Sequence, residues 1–158
     1  MPNQTSKMGF NTFLENDVVD WEMINANFEK LDGMVLCVES GSKTAAYSGG
    51  SSGNATWYYN KYSDGTIELY TKIEFDSLKC NGGSSAPYHS TSSKAMFPLT
   101  LTSVTDVQMH MASNTVGWIS DITGRGVVDY IMFQIISMSL ESTNVYKQVF
   151  INVKGRWK

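Results

Sequence analysis

The chain has 158 residues, 42% of them hydrophobic and 17% charged, with a formal net charge of −3. That length suits one domain with a modest appendage and a real core. The charge balance excludes an electrostatic footprint for nucleic acid, and no run of Lys or Arg forms a patch.

No stretch approaches the roughly 20 apolar residues of a bilayer span. The start, Met1-Pro-Asn-Gln-Thr-Ser-Lys7, lacks the apolar core of a signal peptide. Folding in a cytoplasm without membrane insertion is therefore expected, and there Cys37 and Cys80 are expected as free thiols.

Residues 17 to 35 read as a helix. Asp17 suits its N-cap, Asp20 its first turn and Gly33 its C-cap. Trp21, Ile24, Phe28, Leu31 and Val35 are spaced three, four, three, four, the seam of a coiled coil about two heptads long. Such a helix is too short to be stable alone. It packs either on its own domain or on copies of itself. The domain reading follows: an arm over 1–36 for attachment or trimerisation, a Gly/Ser-rich connection over 37–55, and a β domain over 56–158. The connection, with Ser40-Gly-Ser-Lys43 and Ser48-Gly-Gly-Ser-Ser-Gly-Asn54, reads as a flexible linker or a long surface loop.

From about Ala55 onward the pattern is of strands. Trp57–Tyr62 and Thr66–Phe75 flank Ser63-Asp64-Gly65, a strong hairpin signal. The second places Ile67, Leu69, Ile73 and Phe75 inward, with Glu68, Tyr70, Lys72 and Glu74 outward. Asn81–Ser85 is a loop. Met96-Phe97-Pro98-Leu99 reads as an edge or a strand start, because Pro98 has no N–H for a central ladder. Val104–Ala112 turns Val107, Met109 and Met111 inward and Asp106, Gln108 and His110 outward. Val116–Ile122 follows, then a turn at Gly124-Arg125-Gly126.

Val127–Leu140 departs from alternation. One face carries Val127, Ile131, Phe133 and Ile135, and the other Val128, Tyr130, Met132, Ile136 and Met138. A strand with two apolar faces needs cover on both. The helical arm or a neighbouring subunit supplies the second cover, and the subunit is the favoured reading. The chain closes on Tyr146–Lys158, with Val149, Ile151 and Val153 on one face and Gln148, Asn152 and Lys154 on the other. The fold class expected is mainly β: an antiparallel β-sandwich with a short N-terminal helical arm.

Signals of catalysis are weak. Cys37, Cys80, His89 and His110 are scattered singly, without the clustered spacing of a zinc site. No phosphate cradle or nucleophile elbow appears, so no metal, cofactor or catalytic residue is assigned. Asp64, Glu68, Glu74, Asp76 and Asp106 are the carboxylates from which a glycosidase pair would come, yet Glu68 and Glu74 lie on the polar face of a strand. Aromatic rings stack on sugar faces and anchor recognition. Trp57 and Trp157 read as core, while Trp118 and Tyr88, near expected loops, and His89, beside Tyr88 in a loop region, are the candidate ligand contacts.

Several segments resemble the tail-fibre and minor structural proteins of bacteriophages and prophages. Trp57-Tyr-Tyr-Asn-Lys-Tyr-Ser-Asp-Gly-Thr-Ile-Glu-Leu-Tyr70 is similar to the aromatic strand, polar turn and second strand that open their C-terminal domain. Met96-Phe-Pro-Leu99 followed by Thr102-Ser-Val104 resembles their phenylalanine–proline strand, and Gly155-Arg-Trp-Lys158 their ending. Phe10-Asn11 and Asn25-Ala-Asn-Phe-Glu-Lys-Leu-Asp32 look like a segment near their start. The resemblance implies a lectin-like β-sandwich tip, assembled as a homotrimer in the virion tail. Trp21, Ile24, Phe28, Leu31, Tyr130, Met132, Ile136 and Met138 would then form its interface. It also implies other tail or baseplate proteins as partners and attachment to host cell-surface carbohydrate. A purely structural tail component and a polysaccharide depolymerase are the alternatives. The long shaft of a fibre is missing between arm and tip, which favours a short tip or a baseplate accessory.

Overall fold

The computed structural model describes residues 21–32, 34–113, 115–124, 126–141, 143 and 145–158. The chain divides into two compact units, Met1–Leu36 and Cys37–Lys158. In the first, helix α1 spans Trp21–Asp32 with Glu22 in its first turn and Lys30 in its last, each sign suited to its end of the helix dipole. Ile24 is half-buried and Phe28 exposed. Val35, expected as the last seam position, lies beyond the helix. The cap and first-turn readings at Asp17, Asp20 and Gly33, and the motif at Phe10-Asn11, fall outside the described residues.

The second unit is a single antiparallel sheet. Among the described residues its strands are β1 (Cys37–Ser48), β2 (Gly53–Tyr62), β3 (Thr66–Leu78), β4 (Tyr88–His89), β5 (Ser93–Met96), β6 (Ser103–Ser113), β7 (Gly117–Asp121), β8 (Tyr130–Ser137) and β9 (Val145–Arg156). They run in the order β4-β8-β5-β1-β2-β3-β9-β6, with β7 on the free side of β8. The sheet curls. Phe75 of β3 and Phe133 of β8 are separated by three strands along the path, yet their rings meet edge to face at 6.2 Å.

Period-two burial builds the core as expected. Ile67, Leu69, Ile73 and Phe75 of β3 are buried, as are Val149, Ile151 and Val153 of β9 and Ile131, Phe133 and Ile135 of β8. Trp57 is fully buried, with Phe97 edge-on to it at 5.7 Å. Thr71, the polar member of the β3 inner row, donates its hydroxyl to the Thr56 carbonyl at 2.8 Å, so its burial leaves no orphan group. The β2–β3 turn closes with Gly65 N–H on the Tyr62 carbonyl at 3.0 Å and φ of +86° at Gly65, the left-handed region that favours glycine.

Four expectations need correction. Residues 37–48, expected as linker or surface loop, form β1, paired along its length with β2. Its run Glu39–Thr44 is polar and exposed, so little hydrophobic alternation is there to read. Backbone pairing with β2 holds that stretch, while Ala45 and Tyr47 at its end pack on the core, Tyr47 edge-on to Phe75 at 5.5 Å. A side chain at Gly41 would run against the Tyr59 ring, and its absence lets that ring lie across β1. The strand near Pro98 lies before it, at Ser93–Met96, and is flanked by β1 and β8 instead of forming an edge.

The strand expected over 127–140 is only Tyr130–Ser137. Its second face is half-buried, not dry: Lys94 Nζ sits 3.8 Å over the Tyr130 ring, and Gln134 reaches the Ser90 carbonyl. Finally, His89 lies on a short strand and not in a loop.

Candidate functional site

The outer face of β1, β2, β3, β9 and β6 is a grid whose rows are set by strand register. One row runs Ser42, Tyr58, Tyr70, Asn152, Gln108 across five strands. The next runs Ser40, Asn60, Glu68, Lys154, Asp106. A third places Lys72, Phe150 and His110 side by side. Side chains in one row lie on the same face about 5 Å apart, so each touches its neighbours.

Tyr58 and Tyr70 stack at 5.1 Å between centroids and 16° between planes, and each remains 47% exposed. They form a ridge flanked by shallow clefts. One, of about 270 Å³, lies between Tyr70 and β6 and is lined by Glu68, Asp106, Gln108, Asn152 and Lys154. Two others, of about 380 and 430 Å³, adjoin Tyr58, the first beside Ser40 and Ser42 and the second beside Lys72 and Glu74. Stacking uses one face of each ring and leaves the rest to the clefts.

The polar groups divide into spent and unspent. Lys154 pairs with Glu68 at 3.1 Å, and Tyr62 donates its hydroxyl to the other Glu68 oxygen at 2.9 Å. Lys154 first and Tyr62 second hold the Glu68 carboxyl below its ordinary range. Lys72 pairs with Glu74 at 2.7 Å, and Gln148 donates to the same oxygen at 3.0 Å. Among the described residues Asn152 has no side-chain hydrogen-bond partner, nor do the Tyr58 and Tyr70 hydroxyls. Gln108 donates to Asp106 at 3.0 Å and keeps its carbonyl oxygen free. An aromatic ridge beside unspent amides and hydroxyls suits a ligand with an apolar ring face and hydroxyl edges.

The residues singled out from sequence lie on the other flank. Register places His89, Ile136 and Trp118 in one outer row of β4, β8 and β7. Trp118 is 47% exposed, and His89 is exposed with its ring against Gly82. Tyr88 is not with them. It pairs with Ser137 on the opposite face, and its ring packs against the core. Tyr130, Met132 and Ile136 are half-buried and Met138 exposed along the same outer face of β8.

The Tyr58–Tyr70 ridge was missed, although a signal for it existed. Both tyrosines stand six positions from Asp64, so a two-strand hairpin turning there sets them opposite one another. Asn152 and Gln108 had no such local signal, because they arrive on strands distant in sequence.

Among the described residues no group of three or more His, Cys, Asp or Glu is placed to hold a metal ion, and no helix is long and apolar enough to cross a membrane.

Comparison with known proteins gives little at the level of sequence: no family model and no curated protein matches the chain. Among solved structures, the chain is similar to the C-terminal part of the P. aeruginosa R1 pyocin fibre, with 12% identity, a TM-score of 0.47, and coverage of 87% of this chain and 32% of that one. It is similar also to an N-truncated R1-type pyocin tail fibre, again at 12% identity and a TM-score of 0.47, covering 87% of this chain and 98% of that one. The chain thus spans about a third of the first of these.

Proposed function

We propose that this chain is a non-catalytic carbohydrate-binding component of a phage-type tail, a fibre tip or baseplate accessory that docks on host surface glycan. One observation carries the binding reading: the exposed, stacked Tyr58–Tyr70 ridge with the free Asn152 amide beside it. The tail setting, the neighbouring tail or baseplate proteins and the place in the virion rest on the ordered sequence motifs. The homotrimer rests on those together with the exposed apolar side chains of Trp118 and Met138. Three shallow sites on one rigid trimer gain avidity without any of them being tight alone.

Replacing Tyr70 with Ala should weaken binding to a responsive oligosaccharide about ten-fold, the scale of removing a central aromatic anchor. Titration followed by amide chemical shifts checks this, and the perturbed amides should lie along β2, β3 and β9. Perturbations confined to Trp118, Ile136 and His89 would move the site to the other flank. Failure to bind any glycan, with retention in purified particles, would select the purely structural role.

The depolymerase reading has one observation in its favour, that Glu68 and Asp106 line the same cleft. Such hydrolases pair one protonated carboxyl with one ionised carboxylate. Lys154 and Tyr62 favour the ionised form of Glu68, which fits only the base or nucleophile and leaves the acid role to Asp106. Release of reducing ends by the purified protein, lost in Asp106→Asn, would reinstate it.

A further inference from the structure

The charges around the Tyr70 cleft narrow the class of sugar it accepts, an inference that rests on the carbohydrate reading above. Two carboxylates and one ammonium line the cleft. The ammonium, Lys154, is engaged by Glu68 at 3.1 Å. Lys72, the lysine nearest the ridge on its other side, is engaged by Glu74 at 2.7 Å. Arg156, further along β9, donates to the Asp64 carbonyl at 2.8 Å. Among the described residues both lysines beside the ridge are shared with carboxylates, and Arg156, whose charge is unpaired, lies two rows from Tyr70.

Asp106 is different. Its carboxylate is exposed, takes a hydrogen bond from the Gln108 amide at 3.0 Å, and forms no ion pair among the described residues. It stands diagonally across the cleft from Tyr70, two strands away and one row along, with Lys154 beside it in its own row.

We infer that the Tyr70 cleft selects neutral or amine-bearing saccharides over acidic ones, with Asp106 as the residue that meets a ligand amine. Stacking on Tyr70 and hydrogen bonds to Asn152 serve any pyranose and supply affinity without charge preference. Discrimination comes from the unpaired carboxylate. A uronic, sialic or phosphorylated unit would bring a third negative charge into a cleft whose two carboxylates already outnumber its one ammonium, Lys154, which Glu68 shares. Rejection of this kind is a common source of specificity. A free amine at that position gains a partner and displaces none.

The test uses the full chain on a printed array of bacterial oligo- and polysaccharides that includes neutral, amine-bearing and acidic members. Titrations of the responders follow at low ionic strength, where exposed charges act over a longer range. Responders should be neutral or amine-bearing. N-acetylation of an amine-bearing responder should weaken it about three-fold, the scale of one exposed ion pair. In Asp106→Asn the amine-bearing ligand and its N-acetylated form should bind alike.

Acidic responders that depend on Tyr70 would overturn the selectivity and leave the carbohydrate reading standing. So would an amine preference that survives Asp106→Asn. An array with no responders would overturn both, whereas glycan binding indifferent to Tyr70→Ala would overturn the selectivity and move the carbohydrate site off the ridge.

Discussion

Lys147 is a charged side chain on the inner face of β9, fully buried. Its Nζ donates to Glu141 at 2.6 Å and to the Leu78 carbonyl at 2.8 Å. Glu141 also accepts from the Cys80 N–H at 2.7 Å and the Thr115 hydroxyl at 2.9 Å. One ion pair thus ties the end of β3, the β6–β7 connection and β9 together. Burial alone would raise the Glu141 pKa, but the donors from Lys147, Cys80 and Thr115 outweigh it and hold it below its ordinary 4.5.

A lowered folded value means that this carboxyl stabilises the protein fully above about pH 4.5, and that the contribution is lost as pH falls through the folded value. Glu141→Gln should flatten that part of the acid limb in urea titrations. Lys147→Met leaves a buried carboxylate without its cation and should cost about 3–5 kcal/mol, read as a lower urea midpoint at unchanged slope.

Of the two thiols, Cys80 reports on the same place. Burial first and Glu141 second push Cys80 up to about 11, whereas Cys37 is exposed. A thiol reagent at neutral pH should therefore label Cys37 in the native protein and reach Cys80 only on opening. Lys147→Met should speed the second reaction.

At the scale of elements, what was legible in sequence follows how each strand is held. β3 and β9 alternate cleanly because each buries one row and wets the other, and their faces were read correctly. β1 carried no such signal, because Ser40, Ser42, Thr44 and Lys43 do not separate into wet and dry rows. The inward Lys147 was likewise invisible: its partner Glu141 lies outside any strand, and only the closed fold brings them together.

The candidate site divides in the same way. Tyr70 was placed outward by period two, and the hairpin fixes Tyr58 opposite it. The cleft between β3 and β6 depends on β9 inserting between them, with Glu68 facing Lys154 across a long separation in sequence. Local pattern carries no information on such pairings.

The pairing itself makes a prediction. β9 is hydrogen-bonded on both sides over nearly its whole length, by β3 and β6. β4 contributes two residues, and β7 pairs on one side only. Native-state amide exchange should be slowest in β9 and β3, near the global limit, and fastest in β4 and β7. Early exchange across β9 would mean that the sheet opens between β9 and its neighbours before it unfolds.

For the whole molecule, the question is what covers the flank opposite the tyrosine ridge. Val116, Trp118, Ile122, Met138 and Leu140 are all exposed there. Met138 N–H donates to the Val116 carbonyl at 3.3 Å, which brings these two residues together beside Trp118 and its row partner, the half-buried Ile136. Contiguous apolar surface of this kind is uncommon on a monomer, which is why assembly from identical copies is part of the proposed function. The two flanks face away from each other, so the proposed assembly and the proposed sugar site can be tested independently. Light scattering at micromolar concentration should give a mass near three times the 17.6 kDa of one chain. Met138→Lys should lower it toward a single chain with the circular dichroism unchanged. The affinity of each Tyr70 cleft for a soluble oligosaccharide should then be unaltered, while retention on a glycan-coated surface falls by roughly 100-fold or more, because only the linked binding events are lost. A single-chain mass at every concentration would end the three-copy assembly and leave the tyrosine ridge to be judged by titration alone.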